Sequence, residues 1–493
     1  MSQHPLLRRS TLHVHPDWTK VISLLFVAGE EPGNSGESRA VKVIERLMTL
    51  SEVEVRHRLT EVIRRFNTRH RDIVAVFRRH AERLESRIVI EAMSDERRLL
   101  VGASFTHEFS VESTSVSNPS IVAHPDQSTC PPGSVRFIMS VRAIGEGHLS
   151  SIGFRTGVID ERGTIALDDR GPFPEVGTVS ESLLNRAAFF SHLRAFGHDG
   201  ESSDYVLDHL PPDFTARDLD QRLEVLWSER DTRGDASAIS TQLRTIAASS
   251  YEVSFDSESD ISEHVLWPAM ATESRGMEDA RFVEFTHLDG TRTYVATYTA
   301  YNGSQIAQQM VQTDDFMNFA MSPVVGVTTP SKGLALFPRQ INGRFVALSR
   351  YDGETNAISF SDTMGDWGAS IPFQLPERDW ETIQLGNCGS PIETDAGWLV
   401  LTHGVGPMRT YSIGAVLLDL DDPTTMIGSL NRPLITATPQ EQDGYVPNVV
   451  YTCGAMVHDD FLVIPYGVAD TRINFATVRL SDLLDELTTL PLG

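Results

Sequence analysis

The first hundred residues carry the hydrophobic spacing of amphipathic helices. Apolar side chains recur every three or four positions between residues 41 and 66, and arginines and glutamates occupy many of the positions between them. Ser51 and Glu54 have the spacing of a capping box, which predicts that a helix begins there. We therefore predict a helical N-terminal region over residues 1–100.

After residue 100 the pattern changes to short apolar strands separated by turns. Five segments share one plan of turn, apolar strand and polar residue, and they begin at Pro131, Asp289, Asn342, Asp395 and Asp459. Among their turns, Gly290, Gly343 and Gly397 recur at intervals of 53 and 54 residues, which favours propeller blades over a sandwich. We therefore predict a mainly β chain that forms a five-bladed β-propeller over residues 101–493.

Residues 161–265 interrupt this repeat between the first and second predicted blades. The segment combines helical periodicity with an acidic stretch at residues 256–263. We expect this partly helical insertion to pack beside the propeller or to cover part of its mouth.

The blade pattern has a consequence for function, because corresponding strand ends in a propeller converge on one central axis. Residues that are distant in the sequence would then meet in a shared pocket. The polar residues that end the repeated strands are Arg142, Tyr298, Arg350, His403 and Tyr466. We predict that these five side chains face the pocket.

Composition limits the partners and the compartment of the protein. With 67 acidic and 42 basic residues, the chain has a net charge of −25 and would repel nucleic acid. Its cysteines, Cys130, Cys388 and Cys453, are far apart, which argues against a disulfide framework and favours a reducing, intracellular setting. No stretch approaches the roughly 18 apolar residues of a membrane span. We expect a cytoplasmic protein without nucleic-acid or membrane partners. The apolar faces of its N-terminal helices could pack on the propeller or on a second copy of the chain.

The most informative motif is Gly276-Met277-Glu278-Asp279-Ala280-Arg281-Phe282. Adjacent side chains on a strand point to opposite faces. One carboxylate of the Glu278–Asp279 pair would then face the channel, while the other pairs with Arg281. On spacing alone, a purely structural Asp–Arg bridge is also an open interpretation.

Several ordered motifs carry a resemblance to a known family. They are Glu278–Arg281, Thr297–Tyr301, Lys332–Pro338, Gly386–Thr394, Thr402–Val405 and Tyr466–Thr471. Together they resemble glycoside hydrolase family 130, whose best-known members are β-mannoside phosphorylases built as five-bladed propellers. The resemblance covers roughly residues 105–485. The helical first hundred residues and the insertion differ from the compact members and indicate a longer subgroup.

The resemblance implies that Asp279 is the general acid. A sugar alkoxide departs slowly unless its oxygen is protonated, and a positioned carboxylic acid can supply that proton. In this family the proton is thought to pass through a hydroxyl of the mannosyl residue. Asp279 is therefore expected farther from the glycosidic oxygen than a conventional acid.

The resemblance also implies a phosphate site, because phosphate is already a nucleophile and requires cations rather than a carboxylate base. The residues that match phosphate ligands of the family are Arg142, Lys332, Arg350 and His403, with Tyr411 as a hydroxyl partner. The residues that match its sugar ligands are Asn118 and Asp470, and Tyr301 could add a stacking or hydroxyl contact. Alternatively, the cations are separate surface or blade-bridging residues, Asn118 makes a turn and Asp470 caps a strand.

These assignments imply an inverting phosphorylase. It would transfer a mannosyl unit from a β-mannoside or manno-oligosaccharide to inorganic phosphate and give α-mannose 1-phosphate. Phosphate is a co-substrate, and neither an organic cofactor nor a metal is predicted. Two alternatives stay open: a β-mannoside hydrolase of the same fold and a noncatalytic sugar-binding propeller.

Overall fold

The computed structural model describes residues 4–27, 39–85, 93–195, 201–229, 235–326 and 332–489. Secondary structure in this part of the chain is mainly β, as predicted. Among the described helices, none has the length and apolarity that crossing a membrane requires. The chain divides into two compact units. The larger comprises Met1–Pro16, Thr114–Arg170 and Val176–Gly493, and the smaller comprises Asp17–Ser113 and Gly171–Glu175.

The smaller unit is built from helices and one strand pair. Its helices are Arg39–Met48, Glu52–Phe66, Ile73–Glu85 and Asp95–Ser104. Ser51 and Glu54 form the predicted capping box, in which the backbone N–H of Ser51 donates to Oε2 of Glu54 at 2.8 Å. Strand Val21–Leu25 pairs antiparallel with Thr106–Ser110. The apolar helix stripes meet in a common core, in which Leu84 is completely buried.

The larger unit consists of antiparallel meanders that follow one another along the chain. The first contains Ser115–Ala123, Val135–Ile144, Ser150–Ile159 and Ile165–Leu167. The second contains Gly276–Thr286, Arg292–Tyr301, Ile306–Thr313 and Asn318–Pro323. The third contains Ala335–Leu336, Phe345–Ser349, Asn356–Ser361 and Ser370–Gln374.

The next meander contains Gln384–Asn387, Ile392–Thr394, Gly397–Gly406, Thr410–Leu418, Met426–Ser429 and Ile435–Thr436. The last contains Val450–Tyr451, Met456–His458, Phe461–Val468 and Arg472–Arg479, and the helix Leu480–Thr489 follows it. A chain of successive antiparallel meanders is β-propeller-like.

One strand of the last meander comes from the start of the chain. Arg8–Val14 pairs antiparallel with Arg472–Arg479. The helical spacing did not predict this strand, and the first hundred residues are therefore not helical throughout. The pairing ties the two ends of the larger unit together in one sheet.

The segment between the first and second meanders has helices and a core of its own. Its helices are Arg186–Ala195, Glu201–Asp208, Ala216–Glu229 and Asp235–Ala248. Leu193 and Phe214 are among the completely buried side chains of this core. Strand Tyr251–Ser254 pairs with Thr178–Glu181 on one side and with Asn318–Pro323 on the other. The segment thereby extends the edge of the second meander.

Candidate active site

A cavity of about 220 Å³ in the larger unit brings together most of the residues that the sequence singled out. These are Asn118, Arg142, Asp279, Lys332, Arg350, His403, Tyr411 and Asp470. The described lining also includes Glu278, Arg281, Gln384, Arg409, Val446, Val449 and Tyr451. The cavity is smaller than the about 300–1,000 Å³ of pockets for drug-sized ligands, so it suits a small polar group.

Three residues that were expected at the pocket lie elsewhere. Tyr301 is outside the described lining, and its hydroxyl donates to a backbone carbonyl two residues away. Tyr298 is completely buried and donates to Glu273 at 2.6 Å. Tyr466 is also completely buried and donates to Glu441 at 2.8 Å. The prediction that Tyr298 and Tyr466 face the pocket is therefore wrong, because their hydroxyls bind buried carboxylates instead.

A β-bulge turns both acids of the central motif toward the same cavity. Glu278 is opposite Thr299 and Arg281 is opposite Thr297, so the strand carries one extra residue between these pairs. Within the bulge, Asp279 has the left-handed backbone angle φ of 59°. The two carboxylates both line the cavity, so the expected alternation of faces does not hold here.

Left-handed residues recur around the cavity. Asn118 has a φ of 48° at a second bulge, in Ser115–Ala123, and Asp470 has a φ of 48° in a hairpin turn. Asn and Asp tolerate this conformation better than most residues. The bulge places the Asn118 amide so that Nδ2 donates to Oδ1 of Asp279 at 2.7 Å. Backbone conformations of this kind concentrate at functional sites.

Glu278 lies between two cations. Its Oε1 is 2.7 Å from Nη2 of Arg142, and its Oε2 is 2.8 Å from Nζ of Lys332. Nη1 of Arg142 is also 3.7 Å from Oδ1 of Asp279. Arg142 is therefore shared between two carboxylates, and it also lines the cavity.

Arg281 lines the cavity and has a structural role there. Its Nη1 donates to the backbone carbonyl of Asp279 at 2.8 Å, its Nε to the carbonyl of Cys388 at 3.0 Å, and its Nη2 to the hydroxyl of Tyr451 at 3.0 Å. The expected pairing of Arg281 with a carboxylate of the motif is therefore replaced by bonds that fix the backbone of the bulge.

His403 is a neutral member of the site. Nδ1 lies 3.2 Å from the carbonyl of Asn387, which can only accept, so Nδ1 carries the proton and Nε2 accepts from Nη1 of Arg350 at 3.1 Å. Burial, and then the charge of Arg350, lower the pKa of His403 well below its usual value. The ring of Tyr411 stacks on the imidazole of His403, with the two ring centroids 5.9 Å apart. The expectation that His403 adds a positive charge is therefore wrong, although it orients a guanidinium.

The carboxyl groups of the cavity differ in their proton affinity. Burial alone would raise the pKa of Asp279, but Arg142, Arg281 and the hydrogen bond from Asn118 together hold it below its usual value. Burial raises the pKa of Asp470, and the charge of Arg142 only partly opposes this shift. Asp279 is therefore ionised, whereas Asp470 retains a proton more readily.

The charge balance of the lining favours an anion. Its described residues include three carboxylates and five basic side chains, which are Arg142, Arg281, Lys332, Arg350 and Arg409. This local excess of positive charge occurs in a chain of net charge −25. Clustered guanidinium and ammonium groups are the usual ligands of phosphate and carboxylate groups in proteins.

Glu278 and Arg409 are the charged cavity residues that the sequence reasoning missed. Strand alternation placed only one acid of the motif at the channel, and the bulge that overrides it has no sequence signature. Arg409 lies in the turn between two long strands and has a φ of 54°. Arg409 follows Gly406 by three residues, as His148 follows Gly145. This correspondence between two turns was the sequence signal that could have pointed to Arg409. Among the described residues, no three His, Cys, Asp or Glu side chains are grouped to hold a metal ion.

Comparison with known proteins identifies relatives of this chain. The sequence model of glycoside hydrolase family 130, described as beta-1,4-mannooligosaccharide phosphorylase, matches residues 237–489. A 1,2-beta-oligomannan phosphorylase of Thermoanaerobacter sp. strain X514 is 34% identical over 228 residues, which are 44% of this chain and 74% of that protein. A beta-1,4-mannooligosaccharide phosphorylase of Ruminococcus albus is 35% identical over 164 residues, which are 30% of this chain and 48% of that protein.

A solved structure is also similar to this chain. It is the beta-1,2-mannobiose phosphorylase of Listeria innocua in complex with beta-1,2-mannobiose, with a TM-score of 0.47 and 18% sequence identity over 78% of this chain and 94% of that one. The family match rests on sequence: the family model spans just over half of the chain. The Thermoanaerobacter relative is matched over about three quarters of its length. On this evidence, the chain belongs to glycoside hydrolase family 130.

Proposed function

We propose that the protein is an inverting phosphorylase that transfers a mannosyl unit from a β-mannoside or manno-oligosaccharide to inorganic phosphate. The bond between C1 and the glycosidic oxygen breaks, a bond from C1 to a phosphate oxygen forms, and the leaving oxygen receives a proton. The products are α-mannose 1-phosphate and a shortened acceptor. The observation that carries this proposal is the cation-rich cavity in which Asp279 is held by Arg142 and Asn118. The phosphorylase names of the family relatives support it.

In this proposal Asp279 supplies the proton, relayed through a hydroxyl of the mannosyl residue. The charge of Arg142 favours the ionised form of this carboxyl. A bound phosphate would draw the charge of Arg142 toward itself and would raise the pKa of Asp279 by its own negative charge. Binding of the nucleophile would therefore load the acid with its proton.

Phosphate would be held by Arg142, Lys332, Arg350, His403 and Tyr411. Neutral His403 would act mainly through the orientation of Arg350, whose Nη1 it binds. Glu278 would set the positions of Arg142 and Lys332 before phosphate arrives. Asn118 and Asp470 would bind mannosyl hydroxyls, and Tyr301 would contact sugar only beyond the described lining. No organic cofactor or metal has a role in this reaction scheme.

We further propose that the meanders of the larger unit are the five blades of a propeller. The strand pairing of each meander, and the return of Arg8–Val14 to the last one, support this count. In this division, residues 101–493 are the catalytic domain, interrupted at about residues 161–265. Residues 1–100 are an accessory region, except that strand Arg8–Val14 belongs to the sheet of the last meander.

Product analysis with and without phosphate tests the proposed reaction. The protein is incubated with β-1,2- and β-1,4-manno-oligosaccharides, and α-mannose 1-phosphate is expected only when phosphate is present. Free mannose released without phosphate would instead establish the hydrolase, and binding without turnover would establish the noncatalytic propeller.

The variant Asp279→Asn tests the proton donor. Loss of a positioned general acid typically slows catalysis by about 10²–10⁴-fold, and this loss is expected in phosphorolysis. Asp289→Asn is the matched control, since Asp289 lies in the exposed turn of the same hairpin and bonds only within that turn. Full activity of Asp279→Asn would remove Asp279 from the mechanism.

A further inference from the structure

The cavity is too small to enclose an oligosaccharide together with phosphate. Its volume of about 220 Å³ lies below that of pockets for drug-sized ligands. If one mannosyl unit and phosphate fill it, as the proposed function requires, then the remaining sugar units of the substrate must lie at its mouth.

Large apolar side chains are exposed next to the cavity lining. Met408 precedes Arg409 and is 86% exposed, and Tyr445 precedes Val446 and is 50% exposed. Tyr351 and Ile383, which are also exposed, adjoin lining residues in the same way. Single exposed apolar residues need no explanation, but four of them that each adjoin a lining residue of one cavity in the chain indicate a binding surface.

Tyr445 is held in a fixed position by His148. The two rings stack with their centroids 5.7 Å apart and their planes at 25°. The hydroxyl of Tyr445 is also 3.1 Å from Nδ1 of His148. An exposed aromatic ring that is oriented by a second ring loses little conformational freedom when a ligand stacks on it.

The turn that carries His148 matches the turn that carries Arg409. Gly145 and Gly406 open the two turns with φ angles of −103° and −102°. His148 and Arg409 then have left-handed φ angles of 60° and 54°. Since Arg409 lines the cavity, the equivalent position of His148 in the first meander indicates that this residue also faces the mouth.

We propose that Tyr445, His148 and Met408 form a platform for the acceptor sugar units of a manno-oligosaccharide, and this inference rests on the proposed function. Pyranose rings have apolar C–H faces, which stack on aromatic and thioether groups, and hydroxyl edges, which the Tyr445 hydroxyl and the His148 ring can bind. The platform selects substrates with several sugar units over a disaccharide, since a longer chain covers more of it.

Synthesis in the reverse direction distinguishes acceptor binding at the platform from donor binding in the cavity. α-Mannose 1-phosphate is the donor, and β-linked mannose oligomers of one to four units are the acceptors. Tyr445→Ala is expected to raise KM for acceptors of two or more units by about fivefold, in line with the loss of one aromatic contact. KM for α-mannose 1-phosphate is expected to stay unchanged. Tyr445→Phe keeps the ring and should retain most of the acceptor affinity.

The matched control is Leu288→Ala, because Leu288 is 83% exposed in a turn between two strands and is outside the cavity lining. Unchanged acceptor KM in Tyr445→Ala at every length overturns the platform, and so does an equal change in KM for donor and acceptor. A change in oligomeric state by light scattering in Tyr445→Ala, with unchanged acceptor KM, assigns the surface to self-association instead.

The proposed function and the platform fail in different ways. If the wild-type protein makes no sugar phosphate from any oligomer, the proposed function fails. Calorimetric titration with β-1,2- and β-1,4-mannotriose then decides the platform alone. Weaker binding by Tyr445→Ala than by the wild type supports the platform, and equal binding or no binding by both proteins overturns it.

Discussion

At the scale of single residues, the charge of the cavity depends on Glu278, whose carboxylate lies between Arg142 and Lys332. Its side chain is only 11% exposed, so its negative charge acts on a bound anion with little screening. The same carboxylate keeps part of the positive charge of Arg142 away from Asp279, which is 3.7 Å from that guanidinium. Glu278 therefore opposes phosphate binding while it favours a protonated acid.

Glu278→Gln should separate these two effects. We expect KM for phosphate to fall severalfold, because a negative charge leaves the anion site. We expect kcat to fall about tenfold, because Arg142 moves toward Asp279 and lowers its pKa further. Steady-state rates measured over a range of phosphate concentrations give both KM and kcat. Glu284→Gln is the control on the same strand, where the carboxylate pairs with Arg292 instead. A rise in KM for phosphate would contradict this prediction and would show that the positioning of the two cations outweighs the negative charge of Glu278.

The sequence singled out many of the residues that line the cavity, but it could not predict their protonation states. Asn118, Arg142, Asp279 and Asp470 could be selected from motifs, and the structure places all of them in one cavity. The neutrality of His403 could not be predicted, since it depends on burial and on two partners that are distant in the sequence. The bulge at Asp279 was likewise hidden, because strand alternation assumes that no residue is inserted.

At the scale of secondary-structure elements, close strand packing fixes the pair of Arg350 and His403. Gly386 lies directly opposite His403 in the neighbouring strand. A Cβ atom at Gly386 would be 2.5 Å from Cε1 of His403 and 3.0 Å from Cδ of Arg350. The ring of Tyr451, 5.0 Å away from that of His403, restricts the retreat of the imidazole. Only glycine fits between these strands without moving the pair.

Gly386→Ala should therefore weaken phosphate binding without removing a polar group. Overpacking costs about 1–3 kcal/mol of stability. We expect Arg350 to move and thereby relieve part of this strain. We expect KM for phosphate to rise about tenfold, measured by initial rates, with a smaller change in KM for the sugar. Gly368→Ala is the control, since its added Cβ has one neighbour, a carbonyl oxygen at the ordinary distance of 3.5 Å. An equal loss of sugar and phosphate affinity would argue against local displacement of the pair.

The elements themselves were partly visible in the sequence. Turn glycines such as Gly290 and Gly397 mark hairpins because both have positive φ angles in the structure. Local signals of this kind predict a strand that pairs with its neighbour in the chain. Strand Arg8–Val14 escaped prediction, because its partner Arg472–Arg479 is at the other end of the chain.

At the scale of the whole molecule, one ion pair connects the first strand to the last sheets. Nη1 of Arg9 is 2.9 and 2.8 Å from the two carboxylate oxygens of Glu441, and Nη2 donates to the carbonyl of Thr436 at 2.7 Å. The carboxylate is 5% exposed. Burial alone would raise the pKa of Glu441, but backbone hydrogen bonds from Thr438 and the charge of Arg9 hold it below its usual value.

Arg9→Met should destabilise the protein, because it leaves a buried carboxylate without its cation. Removal of one partner of a buried pair costs about 3–5 kcal/mol, and chemical denaturation measures this loss. Because the pKa of Glu441 is lowered in the folded protein, its carboxylate stabilises the fold at any pH above the pKa that it has in the unfolded chain. This stabilisation is lost as the pH falls through the pKa of the folded state. In Arg9→Met that loss should begin at higher pH.

Two further variants distinguish chain closure from a general effect of charge. Arg8→Met removes an exposed charge from the same strand and should leave the free energy of unfolding almost unchanged. Arg9→Met combined with Glu441→Gln should recover part of the stability, since no unpaired charge is then buried. If Arg8→Met and Arg9→Met cost the same, the pair does not hold the first strand in place. The ends of the larger unit would then be joined by backbone pairing, by the packing of Val14 on Ile473 and Phe475, and by the contact of His13 with Asn474.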